Sequence, residues 1–175
     1  MVDPLTIGDE DRRSLARWAG DCAERVLPLF EAAVADDARP REAIEGVRDF
    51  VRDGKRTARL RSLAWAALAA AREAGDPAAT AAARAAGYAA AVPYLHPLVT
   101  PHQSRHVLAP AVYGARAREI AVGTGTGPGD EEIRWASGHV PPEVRALVRQ
   151  LPARSPGRSR LDALYHALDA ALRDS

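Results

Sequence analysis

The sequence predicts an all-α fold, a compact multi-helix bundle of about eight helical segments. Three observations predict it. Apolar residues recur at helical spacing through most of the chain. No stretch alternates with the period of a strand, and no short hairpin turn separates apolar runs. Proline and glycine stand where helices are expected to begin and end.

The first predicted helix carries apolar residues at helical spacing to about Val34. Thr6 or Asp9 can cap its start, and the acidic residues of its first turn favour the helix dipole. Pro28 lies inside this pattern. Because proline removes a backbone donor and clashes with the preceding turn, we expect it to kink the helix or to end it early.

Three further helices follow at regular intervals. The second covers residues 40–54, with Asp37 as a nearby cap and a glycine as its stop. The third covers residues 57–75 and is capped by Thr57. The fourth covers residues 77–93, is almost entirely alanine and begins on a cap followed by a proline.

The fifth predicted helix begins at Thr100-Pro101, which is typical of a cap and a first helical turn, and Pro110 is expected to kink it. We interpret the whole chain, residues 1–175, as a single helical domain. Its main helical core spans residues 5–122, followed by a glycine-rich linker at 123–129 and a C-terminal helical cap at 130–175. Three short helices are predicted in the cap, at residues 130–137, 142–150 and 159–172.

Composition restricts the kind of partner. The formal net charge is +1 with 27% charged residues, which argues against an overall affinity for nucleic acid or an anionic membrane. The alanine-rich stretch is interrupted by charges and by a proline, so it does not predict a membrane span. No apolar leader is present in the first ten residues. We therefore expect a cytoplasmic protein with no membrane partner.

Two motifs are better explained by structure than by chemistry. The stretch GTGTGPG at residues 123–129 lacks the third glycine of a dinucleotide site and the lysine of a phosphate loop, so it predicts a linker. Cys22 is the only cysteine and lies on the apolar stripe of the first helix. A reactive thiol needs partial exposure and nearby positive charge, so we interpret Cys22 as a buried structural residue.

Three histidines, His96, His102 and His106, lie close together in the sequence. His102 and His106 are four residues apart on a predicted helix, a spacing that suits two zinc ligands. No Asp, Glu or Cys nearby in the sequence offers a third ligand, so we expect no metal and no cofactor. A metal-dependent enzyme built on these histidines stays an alternative hypothesis. No other pattern predicts a catalytic residue.

Two stretches are rich in basic residues. One surrounds the predicted end of the second helix, and the other lies near the C-terminus. Such patches can hold phosphates, but the balanced net charge favours solvated surfaces, so a nucleic-acid partner is the secondary hypothesis. Their members are Arg52, Lys55, Arg56, Arg59 and Arg61 in the first stretch, and Arg145, Arg149, Arg154, Arg158 and Arg160 in the second.

Ionisable residues are dense where the first two helices meet. We interpret them as a structural ionic corner in which Arg39 and Arg41 reach back to Glu31 or Asp21 and fix the angle between the helices. The members of this corner are Asp21, Glu24, Arg25, Glu31, Arg39 and Arg41.

The opening block DRRSLARWAGDCAERVLPLFEAAVADDARPREAIEGVRDFVRDGKR resembles the immunity-five-like family of bacterial immunity proteins, which is common in actinobacteria. The stretches RLRSLAWAALAAAREAG, AARAAGYAAAVPYLHPL and HVLAPAVYGARARE extend the resemblance, so that it covers residues 10–121. It implies a small helical protein that neutralises a cognate toxin by binding it, without enzymatic activity.

Interfaces of this kind are anchored by aromatic residues and arginine. We therefore expect the contact surface to lie around residues 88–106 and to use arginines, aromatic residues and histidines from the middle of the chain. The candidate partner-binding residues are Arg56, Trp65, Tyr88, Tyr94, His96, His102, Arg105 and His106.

Overall fold

The computed structural model describes residues 6–96 and 101–174, with the side chain of residue 101 left aside. Eight α-helices and one short 3₁₀ turn form the described part of the chain, which confirms the predicted all-α bundle. The helices are α1 (Asp9–Ala33), α2 (Arg39–Asp53), α3 (Ala58–Glu73), α4 (Pro77–Ala91), α5 (Pro101–Val122), α6 (Gly127–Gly138), α7 (Pro142–Gln150) and α8 (Arg160–Arg173), and the 3₁₀ turn is Val92–Tyr94.

Helix α4 forms the centre of the bundle. Ten of its 15 residues are buried, and α1, α3 and α5 pack around it. Its alanines allow these neighbours to approach closely. At Gly87 the approach is so close that an added Cβ would lie 2.7 Å from Cγ of Leu68 on α3.

Local capping signals were predicted well. The hydroxyl of Thr57 accepts a hydrogen bond from the Leu60 amide at 3.1 Å, and Asp76 accepts one from the Ala79 amide at 2.8 Å. Gly54 ends α2 with φ at 71°, a left-handed conformation that favours glycine. These positions confirm the predicted caps of α3 and α4 and the predicted end of α2.

The N-terminal part of the prediction needs correction. Helix α1 begins after Gly8, whose amide donates to the Asp11 carboxylate at 3.3 Å, so neither Thr6 nor Asp9 caps it. Pro28 does not end the helix, which continues to Ala33. Because Pro28 lies on the exposed side of α1, water can donate a hydrogen bond to the carbonyl that lacks its helical partner. Beyond the proline, the buried Phe30 holds the helix against the core.

The start of α2 also differs in detail. The N-cap position is Ala38, and Asp37 accepts a hydrogen bond from the Arg39 amide at 3.1 Å from one residue further out. Helix α5 continues through Pro110. The predicted cap at Thr100 lies outside the described residues.

Helix α6 begins at Gly127, three residues before the predicted start. Residues 127–129, predicted as linker, therefore form its first turn, where Pro128 is well accommodated because it donates no hydrogen bond. Gly129 faces Glu119 on α5, and an added Cβ would come well under 3.0 Å from Oε2 of that carboxylate. The glycine at this position permits the close contact between α5 and α6.

The C-terminal helices pack on the same core as the rest. Helices α6 and α8 lie against α5, and α7 contacts α8 and α1. The indole of the buried Trp18 donates to the carbonyl of Ala136 at 3.0 Å and so joins α1 to the end of α6. One continuous cluster of buried residues includes Trp18, Ile133, Leu147 and Leu168. None of the described helices is both long and apolar enough to cross a membrane.

Candidate functional site

The structure brings four of the eight candidate partner-binding residues into one surface groove. Trp65 comes from α3, Tyr88 from α4, Tyr94 from the 3₁₀ turn and His106 from α5. The groove has a volume of about 700 Å³. Its other lining residues among those described are Arg61, Ala64, Leu68 and Ala91.

Trp65 is the most exposed aromatic side chain of the described part of the chain, with 66% of its surface accessible. It lies on α3 between Arg61 and Leu68, at spacings of four and three residues, so the three side chains share one face of that helix. The opposite face of α3 packs on α4 through small residues. An exposed tryptophan beside an apolar groove is typical of an interaction site.

Two contacts hold Tyr94 in place at the edge of the groove. The Tyr94 hydroxyl donates to the carbonyl of Thr57, the residue that caps α3. The guanidinium of Arg61 lies 4.6 Å from the centre of the Tyr94 ring. A cation over an aromatic face is attracted to it, so Arg61 and Tyr94 stabilise each other at the rim.

Tyr88 stacks on Tyr113 of α5, with ring centres 5.3 Å apart and planes 16° from parallel. The ring of His106 lies 6.2 Å from that of Tyr88. Burial raises the pKa of the Tyr88 hydroxyl, with a further contribution from Tyr113. Burial also lowers the pKa of His106, and the positive charge of Arg105 and the proximity of His102 lower it further. The groove therefore presents a neutral imidazole at His106 and a neutral phenol at Tyr88 at pH 7.

The other four candidate residues lie outside the groove. Arg56 is exposed, with its guanidinium 3.8 Å from a carboxylate oxygen of Asp9. Arg105 is exposed on α5 and lies 5.7 Å from the ring centre of Tyr165. His96 and His102 are exposed, before and within the first turn of α5.

The histidines do not form a metal site with one another. Among the described residues, which include all three histidines, no group of three or more His, Cys, Asp or Glu is placed to hold a metal ion. The described residues therefore give no support to the alternative of a zinc enzyme built on His96, His102 and His106.

The ionic corner is assembled differently from the prediction. Arg41 does reach back to Glu31 and binds both of its carboxylate oxygens, at 2.7 and 2.6 Å. Arg39 does not reach Glu31 or Asp21. It binds Asp37 beside it at 2.7 Å and Glu73 on α3 at 2.6 Å. One predicted pair thus joins α1 to α2, and Arg39 joins α2 to α3.

The remaining acids of the corner bind an arginine that sequence reasoning missed. Arg48 of α2 contacts Asp21 at 2.8 Å and Glu24 at 2.6 Å. No spacing within α2 indicates this contact, because it depends on how α1 and α2 pack. Arg25 binds the buried Glu132 of α6. These contacts join α1 to α2 and to α6.

Two of the five arginines of the C-terminal basic stretch, Arg145 and Arg160, are engaged within the fold. Arg145 donates to the carbonyls of Ser137 and Ala171, at 3.0 and 3.2 Å. Arg160 binds Glu119 at 2.7 Å and Asp130 at 2.8 Å. This engagement leaves less of the stretch for phosphate groups and weakens the nucleic-acid hypothesis.

Cys22 is buried, as predicted. Its burial, and then the negative charge of Asp21, raises the pKa of the thiol far above its ordinary value. A protonated, inaccessible thiol is a poor nucleophile.

Comparison with known proteins gives one family. The family model described as Imm-5 like putative immunity protein matches residues 5–143, more than three quarters of the chain. The matched range includes every residue of the aromatic groove. No curated protein and no solved structure matches the chain.

Proposed function

Because the chain belongs to the Imm-5 like putative immunity protein family, we propose that it neutralises a cognate bacterial toxin by binding it directly, without catalysis. The family supports an immunity role in general. The binding mechanism and the surface that performs it are the proposal, and the observation that carries it is the exposed Trp65 at the aromatic groove.

The groove has the composition of a binding hot spot. Tryptophan, tyrosine and arginine are the residues whose truncation most often costs binding energy, and here Trp65, Tyr94 and Arg61 lie side by side. Tyr94 and Tyr88 are held by neighbours within the protein, so little conformational entropy is lost when a partner covers them.

The chemistry of the groove also favours binding over catalysis. Its described lining includes no carboxylate, no thiol and no hydroxyl other than the two phenols. The pKa of His106 is lowered, and that of Tyr88 is raised, so neither is charged at pH 7. Apolar contact with a protein partner is what such a surface does well.

Co-expression tests the proposal. The product of the gene immediately upstream is expressed under an inducible promoter in a bacterial host, with and without this protein, and growth is measured. We expect wild-type protein to restore growth and to bind an inactive form of that product in calorimetry. Trp65→Ala should weaken binding by about 2 kcal/mol, the loss typical of a hot-spot residue.

Val122→Ala is the matched control, because Val122 is the other exposed large apolar residue of the described chain and lies at the end of α5, outside the groove. It should bind as the wild type does. Absence of rescue and of binding by the wild-type protein would refute toxin neutralisation by direct binding. Equal affinities of the Trp65 variant and the wild type would remove the groove from the interface.

A further inference from the structure

Two depressions lie along α4, and the aromatic groove is one of them. A second depression of about 640 Å³ lies next to it, and its floor is the preceding two turns of α4. Tyr113 lines this second depression and stacks on Tyr88, which lines the first. The tyrosine pair therefore connects the linings of the two depressions, and we refer to both together as the channel.

The channel has the dimensions of a helix-binding groove. Lining residues of α4 extend from Pro77 to Ala91, which corresponds to about 21 Å at 1.5 Å per helical residue. Along this floor ten of the 15 residues of α4 are buried, and those that reach the surface recur at intervals of three or four residues: Pro77, Thr80, Arg84, Tyr88 and Ala91. Helices α3 and α5 form the two walls, and both present side chains at helical intervals.

The second half of the channel is positively charged. Arg72, Arg84 and Arg116 line it, and Asp76 is the one carboxylate among its described lining residues. The Asp76 carboxylate is occupied by the Ala79 amide, at the start of α4. Arg116 is paired with Glu119 at 2.6 Å.

Arg72 and Arg84 form no ion pair with any described residue, and Arg84 lies 5.7 Å from the ring centre of Tyr113. With Arg61 in the aromatic half, three guanidinium groups along the channel lack a carboxylate partner among the described residues. Uncompensated positive charge beside an apolar surface selects for a partner that is both apolar and acidic.

We propose that this channel receives an amphipathic α-helix of the toxin, which directs apolar side chains to the Trp65 half and Asp or Glu side chains to Arg72 and Arg84. The inference rests on the proposed function and names the element of the partner that is bound. An amphipathic helix laid into an apolar groove is a recurrent recognition mode, whereas an added strand would need a sheet edge, and the described chain has no sheet.

Charge reversal tests the inference. The probe is the catalytically inactive product of the gene immediately upstream, and the segment that it buries is first mapped by hydrogen exchange with and without this protein. We expect protection on a segment with apolar residues at i, i+3, i+4 and i+7 spacing and with Asp or Glu at one end. Arg84→Glu should weaken binding at least tenfold. Replacing the facing Asp or Glu of the probe by Lys should then restore most of the lost affinity.

The matched control is Arg158→Glu, at another exposed arginine that lies outside both halves of the channel. Both variants are compared by thermal melting first, and Arg72→Glu replaces Arg84→Glu if the latter melts lower than the control. Binding of the probe with equal loss in both charge-reversal variants, or protection of a proline-rich or non-acidic segment, would overturn the helix-and-acid assignment while the proposed function stands. No binding of the probe at all would overturn both.

Discussion

The guanidinium of Arg160 on α8 donates two hydrogen bonds to the carboxylate of Glu119 on α5, with Nη2 2.7 Å from Oε2 and Nε 3.1 Å from Oε1. The same guanidinium binds Asp130 of α6 at 2.8 Å, so one side chain connects three helices. Glu119 is only 6% exposed, and Arg116 adds a second cation at 2.6 Å. This cluster joins the C-terminal helices to the rest of the bundle.

We expect Glu119→Ala to lower the free energy of unfolding by roughly 3 kcal/mol, because it leaves partly buried guanidinium groups without their main partner. Urea denaturation at pH 7, followed by circular dichroism, measures the change. Glu131→Ala is the control, since Glu131 is the exposed neighbour of this region and forms no ion pair with a described residue. Equal stability of both variants would show that the cluster does not hold α8 in place.

We expect acid to weaken the ion pairs of Asp130 and Glu31, and with them the stability of the fold. Hydrogen bonds from Arg160 lower the pKa of Asp130, and those from Arg41 lower the pKa of Glu31. A carboxyl whose folded-state pKa is lowered stabilises the fold above its unfolded pKa, and this stabilisation is lost as the pH falls through the folded-state pKa. Unfolding free energies should therefore decrease between about pH 5 and pH 2.

Asp130→Asn removes one of these contributions. Because Asp130 is 43% exposed at its side chain, the loss at pH 7 should be only about 0.5 kcal/mol, and the remaining decrease with acid should be shallower than in the wild type. Denaturant titrations at several pH values measure both quantities. Asp36→Asn, at an exposed aspartate without an ion pair to a described residue, should follow the wild-type curve.

Sequence reasoning found what depends on neighbouring residues and missed what depends on how helices meet. The caps at Thr57 and Asp76 are local, because the side chain and the amide that it accepts are three residues apart. The pairing of Arg25 with Glu132 joins residues 107 positions apart. No spacing rule within one helix indicates such a pair, since it depends on the way α1 and α6 cross.

The residues of the groove were partly predictable from residue type. Aromatic residues and histidines near the end of α4 were identified as candidates from residue type alone, and Trp65, Tyr88, Tyr94 and His106 do meet. Leu68 follows the apolar helical spacing of α3, yet the structure leaves it half-buried in the groove wall. Its burial depends on how α3 packs on α4, which no spacing within α3 indicates.

The same substitution should cost much more stability at the buried Trp18 than at the exposed Trp65. Trp18 is 1% exposed and donates to the Ala136 carbonyl, so Trp18→Phe should cost about 2 kcal/mol of stability through the cavity and the lost hydrogen bond. Trp65→Phe removes the same atoms at an exposed site and should stay within about 0.5 kcal/mol of the wild type. Denaturation curves of both variants compare them, and a larger cost at Trp65 would contradict the exposed groove.

His106 should titrate below the ordinary histidine pKa of 6.5. Burial is the main cause, so the pKa of His106 should stay lowered in every variant that keeps the fold. Arg105→Ala should raise the pKa of His106 in part, because it removes a nearby positive charge. Histidine ring signals followed by NMR between pH 4 and 8 report the midpoint. Arg158→Ala serves as a distant control, and a His106 midpoint at or above 6.5 in the wild type would contradict the placement of the ring beside Tyr88 and Arg105.

Gly129 should be required because of Glu119, and a double-mutant cycle can show this. A Cβ at residue 129 would collide with the Glu119 carboxylate and push it away from Arg160, so Gly129→Ala should destabilise the wild type by roughly 2 kcal/mol despite the better helix propensity of alanine. In a Glu119→Ala background the collision is absent, and the same change should be neutral or stabilising. The coupling free energy of the two substitutions, from urea denaturation of the four proteins, measures the contact directly. Additive effects would mean that the glycine serves the turn at the start of α6 and not its approach to α5.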